Sequence, residues 1–205
     1  PDDVQEKIHE LAQDEKNPMA KSIYETMQHN MDLAAQLNRP SCQDTGVLQF
    51  WVKVGSNYPL LGELEDILRE ATYKATQEAP LRLNCVETFD EFNTGKNIGL
   101  TAPYIHWDII PDRDDVEIFP YMAGGGCSLP GSGKTLMPGE GYEGVAKFVL
   151  DLMTSYGLNA CPPLLVGVGI ATTIDTAAGL SKKALMRPVS SKAPNEKAAY
   201  MEQLL

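Results

Sequence analysis

Three connections in this sequence carry residues able to do chemistry. They are Ser41-Cys42-Gln43-Asp44-Thr45-Gly46, the run Gly124-Gly125-Gly126-Cys127 that continues to Gly133-Lys134-Thr135, and Ala160-Cys161-Pro162-Pro163. The first sets a thiol beside an amide, a carboxylate and a hydroxyl. The third sets a thiol before two prolines, whose restricted backbone suits a metal ligand better than a packing residue. Both thiols fall between the end of a helical pattern and the start of an apolar run, on connections of the kind that carry function. The chemistry on offer is metal ligation or thiol redox chemistry.

The glycine run raises a second possibility, because GSGKT ends like a phosphate-binding loop. That loop needs glycine five residues before its Gly-Lys pair, and counting back from Gly133 lands on Ser128. Pro130 removes a backbone N–H where several are needed, and Leu136-Met137-Pro138-Gly139 is a poor first turn for the helix that should follow. A nucleotide-binding reading is therefore rejected. Gly124, Gly125 and Gly126 remain open to two readings. They could adopt positive φ and present main-chain N–H groups to an anion, or they could form a turn that relieves crowding. Lys134 could supply a charge to the same site or stand in solvent.

With 205 residues and a net charge of −11, the chain has room for a substantial core but lacks the basic face a nucleic-acid binder needs. Cys42, Cys85, Cys127 and Cys161 include no Cys-x-x-Cys pair, so neither a zinc ribbon nor a secreted disulfide scaffold is indicated. Each thiol is open to a bland reading as a small buried hydrophobe. No apolar run approaches the roughly 20 residues that span a bilayer, and no secretory leader is evident, so a cytoplasmic protein without membrane association is expected.

The elements that must position these loops follow from periodicity. Val4, Ile8 and Leu11 form a short helical stripe. Asn17-Pro18 caps a helix carrying Met19, Ile23, Met27 and Met31, a stripe assigned to core packing, and Asn38-Arg39-Pro40 ends it. Val47 to Val54 reads as a buried strand. Leu64, Ile67, Leu68, Ala71 and Ala75 give a helix that must end by Pro80. Tyr104–Ile110 and Val116–Met122 read as strands joined by a turn at 111–115, with Pro120 placing the second at an edge or bulge. Val145, Phe148, Val149 and Leu152 form another helix ending near Gly157. Leu164 to Ile170 reads as a further buried strand, a helix follows from about Asp175, and one more begins after the polar residues near Ser190. Strands in mixed order with helices between them indicate an α+β fold, mixed sheets flanked by helices, without a regular βαβ repeat. His9 and His29 fall on polar helix faces, and His106 in a strand as a packed or hydrogen-bonded residue.

RPSCQDTG, FNTGKNIG, the GGG loop and NACPP, in this order, resemble the class I fumarase and tartrate dehydratase family of iron–sulfur hydro-lyases. VGSNYPLLGELEDIL, WDIIPDRDDVEI, YMAGGGC and MPGEGYEGV bring the chain nearest to the α subunits of the tartrate-dehydrating branch. The likeness runs from about Lys21 to Pro188. It implies the α+β fold of the family's N-terminal domain, one α-type domain over residues 1–205, and a 4Fe–4S cluster held by cysteines with one iron open to substrate. Cys42 and Cys161 match two ligand positions, and the third is expected beyond residue 205. Cys85 and Cys127 match none.

The same likeness puts Gln43 and Asp44 beside the substrate, Arg82 of APLRLN on a substrate carboxylate, and Gly124 to Gly126 as a main-chain contact to substrate. The glycine run is thus read as a carboxylate cradle. Asp44 would orient its neighbours or relay a proton, and Lys134 aligns loosely with a family lysine. The implied activity is dehydration of a 2-hydroxy dicarboxylate, L(+)-tartrate to oxaloacetate before malate–fumarate exchange, in an α2β2 assembly whose β subunit supplies the general base. The rival classes are a cysteine-based metal-binding or redox-sensing protein using Cys42, Cys127 and Cys161, and a structural interaction domain.

Overall fold

The computed structural model describes residues 1–79 and 81–205. In chain order the elements are α1 (Asp2–Asp14), α2 (Pro18–Leu37), β1 (Val47–Gly55), α3 (Leu64–Glu78), β2 (Val86–Glu87), β3 (Phe92–Asn93), β4 (Tyr104–Ile110), β5 (Val116–Ala123), α4 (Gly125–Ser128), α5 (Gly141–Ser155), α6 (Ile174–Leu185) and α7 (Glu196–Leu204). Helices with a mixed three-stranded sheet and a small two-stranded one make the chain α+β, as expected. It divides into two compact units, Cys42–Ser128 and the combination of Pro1–Ser41 with Leu129–Leu205. Among the described residues no helix is long and apolar enough to cross a membrane.

In the unit Cys42–Ser128, β1 is the central strand of the order β4-β1-β5, parallel to β4 and antiparallel to β5. Its alternate residues Phe50, Val52 and Val54 are buried against Leu64 and Leu68 of α3, and Val54 is fully enclosed. A period of 2 on the strand meets a period of about 4 on the helix, which is why this face closes. The buried stripe of α3 continues through Thr72 and Thr76 rather than Ala71 and Ala75. Both hydroxyls donate to the carbonyl one turn back, so neither is buried without a partner. Pro80, assigned as the stop for this helix, lies outside the described residues; α3 ends at Glu78.

The two strands around residues 111–115 are connected but do not pair, because β1 lies between them. The connection instead crosses the end of β1, where Gly55 N–H donates to the Asp115 carbonyl and Asn57 N–H to that of Arg113. A Cβ at Gly55 would stand 2.1 Å from the Arg113 carbonyl oxygen, so the crossing requires glycine. Pro120 sits opposite Phe50 on the edge strand β5, as its missing N–H demands.

His106 lies on the opposite sheet face, stacked on Trp51 at 3.8 Å with its Nε2 3.2 Å from the Gln49 side-chain oxygen. Burial depresses its pKa from the ordinary 6.5. The unfolded chain therefore takes up this proton before the folded one as pH falls. The stabilisation from a neutral His106 is complete above pH 6.5 and is lost as pH drops from there through the depressed folded value. Denaturation midpoints at pH 7.5 and 5.5 should differ, and His106→Phe should flatten that difference.

In the other unit, Asn17 caps α2 by accepting the Met19 N–H at 2.9 Å, and Asn38 ends the helix in the left-handed region. The assignment of the Met19–Met31 stripe to a core does not hold. No α2 residue is buried, with Met19 76% and Ile23 51% exposed. Within this unit α1 packs on α2, but its 13 largely polar residues do not cover the stripe of a 20-residue helix.

The segment 164–170 is not a strand either, and Leu164, Leu165, Val166 and Ile170 stay substantially exposed. It lies against α6 through its glycines. A Cβ at Gly167 would meet the Ser181 carbonyl at 2.3 Å, and one at Gly169 the Ala177 carbonyl at 2.0 Å. β-branched residues supply strand propensity, but a ladder needs a neighbouring strand, and among the described residues this unit has none. Near the chain end, Arg187 pairs with Glu202 at 2.7 Å, and Val189 N–H donates to Asp3.

Candidate active site

The loop between α2 and β1 turns tightly into the sheet. Gly46 takes φ +76°, and a Cβ there would stand 2.5 Å from the main chain of Ala123 at the end of β5. This closeness sets the CQDTG turn beside the glycine triplet that follows β5. Asp44 joins the two. Its Oδ1 accepts from Gly46 N at 3.0 Å and from the Asn84 side chain at 2.5 Å, while Oδ2 accepts from Gly125 N at 3.1 Å. The Gly46 N–H, the Asn84 amide and the Gly125 N–H, with the nearby charge of Arg82, hold this carboxyl below the usual carboxylate range against the opposing effect of burial.

Of the two readings left open for the triplet, positive φ is not the one observed. Among the described residues, glycines at positive φ are Gly46, Gly95 and Gly141, and none belongs to the triplet. Residues Gly125–Ser128 form one helical turn. Glycine is required at 124 for approach instead: a Cβ there would lie 2.2 Å from Asp44 Oδ2 and 2.6 Å from its Cγ. In this structure the carboxylate cradled by the loop is the chain's own Asp44.

Arg82 is exposed, on the segment between α3 and β2, and its main-chain N–H donates to Thr45 Oγ1 at 2.7 Å. Cys42 is a free, exposed thiol whose sulfur accepts the Asp44 N–H at 3.4 Å and lies 3.8 Å from the Gln43 side-chain oxygen. The structure therefore gathers Cys42, Gln43, Asp44, the main chain of Arg82 and the Gly124–Gly125 step within the unit Cys42–Ser128. Lys134 and Cys161 belong to the other unit. There Lys134 faces Glu140 at 3.8 Å, and no helix starts at it, in keeping with the rejected nucleotide loop. Cys161 is free and exposed, just after the 3-10 turn Gly157–Asn159.

The bland reading of the thiols fits Cys85 alone, since Cys42, Cys127 and Cys161 are all exposed. Burial pushes the Cys85 thiol up, with Glu87 adding to the effect, which makes it a poor nucleophile or ligand. Among the described residues no group of three or more His, Cys, Asp or Glu side chains stands ready to hold a metal ion.

Sequence reasoning passed over Asn84 and Asn97, and noted Thr45 only as the hydroxyl near Cys42. Each lies inside a motif it had singled out (CQDTG, APLRLN and FNTGKNIG). The available signal was a small polar residue inside a motif, on a loop flanking the predicted substrate arginine.

Comparison with known proteins gives the family that has this fold and junction. The fumarate hydratase (Fumerase) family model matches residues 1–205, and the chain belongs to that family. It is 60% identical over 202 residues to the L(+)-tartrate dehydratase subunit alpha of Escherichia coli, covering 98% of this chain and 67% of that protein. The subunit of the same name from Shigella sonnei gives the same figures. A Methanocaldococcus jannaschii protein provisionally named L(+)-tartrate dehydratase subunit alpha is 34% identical over 209 residues, covering 100% of this chain and 73% of its own length.

Proposed function

We propose that this chain is the α subunit of a hydro-lyase that dehydrates a 2-hydroxy dicarboxylate, L(+)-tartrate to oxaloacetate and water, in partnership with a β subunit as α2β2. Family membership and the names of its relatives support the reaction class. The observation that carries the site is Asp44, one carboxylate that ties the Cys42 turn to the glycine step next to Arg82.

Dehydration needs a hydroxyl to leave one carbon and a proton to leave its neighbour. Arg82 provides a planar fork that matches a substrate carboxylate with two parallel hydrogen bonds, orienting the carbon chain. Gln43 provides an amide for a substrate oxygen. Of the two roles considered for Asp44, orientation is the one its surroundings support. A carboxylate kept ionised by three donors makes a poor proton carrier near neutral pH but a good anchor for the loops around it. The general base is assigned to the β subunit.

An iron–sulfur cluster requires thiolates that are free of disulfides and reachable. Cys42 fits, because it is exposed, free of any disulfide, and placed by the main-chain N–H of Asp44. Cys161 is likewise free and exposed. Each would serve as a thiolate ligand to a 4Fe–4S cluster, which when bound would supply a Lewis acid for the departing hydroxyl. Replacing Cys42 by serine in the αβ complex should abolish most of the visible absorbance gained on anaerobic reconstitution with iron and sulfide. Undiminished absorbance would remove Cys42 from the ligand set.

Substrate preference is tested by assaying the full αβ complex with L-tartrate and with malate side by side. Faster oxaloacetate formation from L-tartrate is expected. Faster interconversion of malate and fumarate would make the chain a fumarate hydratase subunit. Turnover of neither would favour the thiol-based sensor.

A further inference from the structure

Beyond the residues that would meet substrate, a second tier of side chains fixes where Asp44 and Arg82 stand. The Asn84 amide donates to Asp44 Oδ1 at 2.5 Å and reaches the Gly46 carbonyl at 3.4 Å. The other donors to Asp44 are main-chain groups of the two loops it joins, so Asn84 is the strut that braces this carboxylate from a third segment. Asn84 is itself placed by Asn97, whose Oδ1 accepts the Asn84 N–H at 2.9 Å.

The amide of Asn97 donates to the Arg82 carbonyl at 3.1 Å and to Thr76 Oγ1 of α3 at 3.2 Å. One buried side chain thus brackets residue 83 on both sides and ties the segment to the helix that carries the core. Asn97 is 8% exposed and sits at φ +54°, a left-handed conformation that asparagine tolerates better than most residues. Asn93 adds a donor to the Leu83 carbonyl at 2.8 Å, and Thr45 accepts the Arg82 N–H.

We infer that Asn84 and Asn97 are positioning residues for substrate recognition, Asn84 acting through Asp44 and Asn97 through both Asn84 and the main chain of Arg82. This rests on the hydro-lyase reading for its catalytic consequence but not for its structural one. Arg82, which would hold a substrate carboxylate, and the two loops that Asp44 joins need a fixed separation. A buried asparagine that bonds the Arg82 carbonyl and the main chain of Asn84, the neighbour of Asp44, supplies it. Outer partners of this kind are worth on the order of 10- to 100-fold in activity.

The test uses the full αβ complex, with Asn84→Ala, Asp44→Asn, the double variant and Asn97→Asp. The last keeps an acceptor for the Asn84 N–H but loses both donations. Each single asparagine replacement should lower kcat/KM by on the order of 10-fold or more. The double variant should be no worse than Asp44→Asn alone, because a residue acting through Asp44 has nothing left to act on. Independently of turnover, amide hydrogen exchange at Gly46 and Gly125 should quicken by on the order of 10-fold in Asn84→Ala while Val52 and Val54 in β1 are unchanged. Additive losses in the cycle, or wild-type exchange at Gly46 and Gly125, would overturn the role of Asn84. Wild-type kcat/KM in Asn97→Asp would overturn that of Asn97. If the unaltered complex dehydrates no dicarboxylate, the functional reading falls, and the exchange data still judge the bracing by itself.

Discussion

Replacing Arg82 by alanine in the αβ complex should cut kcat/KM by on the order of 100- to 1,000-fold, the scale expected when one fixed charged donor is taken from a site that handles carboxylates. The fold should survive. Arg82 is exposed, and the contacts that seat its segment run through its main chain: its N–H to Thr45 and its carbonyl to Asn97. Alanine keeps both. Thermal unfolding should therefore move little while turnover collapses. Arg82→Lys should recover only part of the loss, since an ammonium restores the charge but not the planar fork. Unchanged activity in Arg82→Ala would remove Arg82 from substrate binding.

Gly124→Ala should also be severely damaging, by a different route. The new methyl would stand 2.2 Å from Asp44 Oδ2. A surface side chain could swing away, but Asp44 is held on both oxygens by three donors. Relief must come by breaking the bond to Gly125 or by shifting the turn that contains Cys42. Loss of activity on the order of 100-fold is expected, with a stability cost of about 1–3 kcal/mol from overpacking. Gly125→Ala is the control, because a Cβ at that position meets nothing within 4 Å. Equal damage from both would show that the loop tolerates no side chain for reasons unrelated to Asp44.

Elements that satisfy themselves locally were legible in the sequence. Asn17-Pro18 announces α2 because the cap and the fixed proline φ act within a few residues. β1 and α3 declare themselves by periods that suit each other, and their core closes as expected. Elements that depend on a distant neighbour were not legible. Leu164 to Ile170 has the composition of a strand, yet its glycines press against α6 and no ladder forms. The methionine stripe of α2 reads as core, yet a stripe becomes core only if another surface covers it. The turn at 111–115 joins two strands as read, but nothing local showed that β1 lies between them.

The site divides in the same way. Asp44, Arg82 and the triplet were marked by their motifs, and the unit Cys42–Ser128 gathers them. The reason for the triplet stayed open between φ and crowding, because sequence shows a glycine without showing which demands it; at Gly124 it is crowding. Asn84 and Asn97 escaped notice for a related reason. A small amide in a loop looks like turn chemistry until its partners, 40 and 13 residues away, are known.

The most direct measurement is anaerobic reconstitution of the full-length αβ complex with iron and sulfide, followed by assay of oxaloacetate from L-tartrate in the same sample. The expected result is a visible cluster absorbance together with turnover, both lost on replacing Cys42 by serine. A complex that acquires the absorbance in neither form and yields no oxaloacetate would contradict the assignment of this chain to cluster-dependent dehydration.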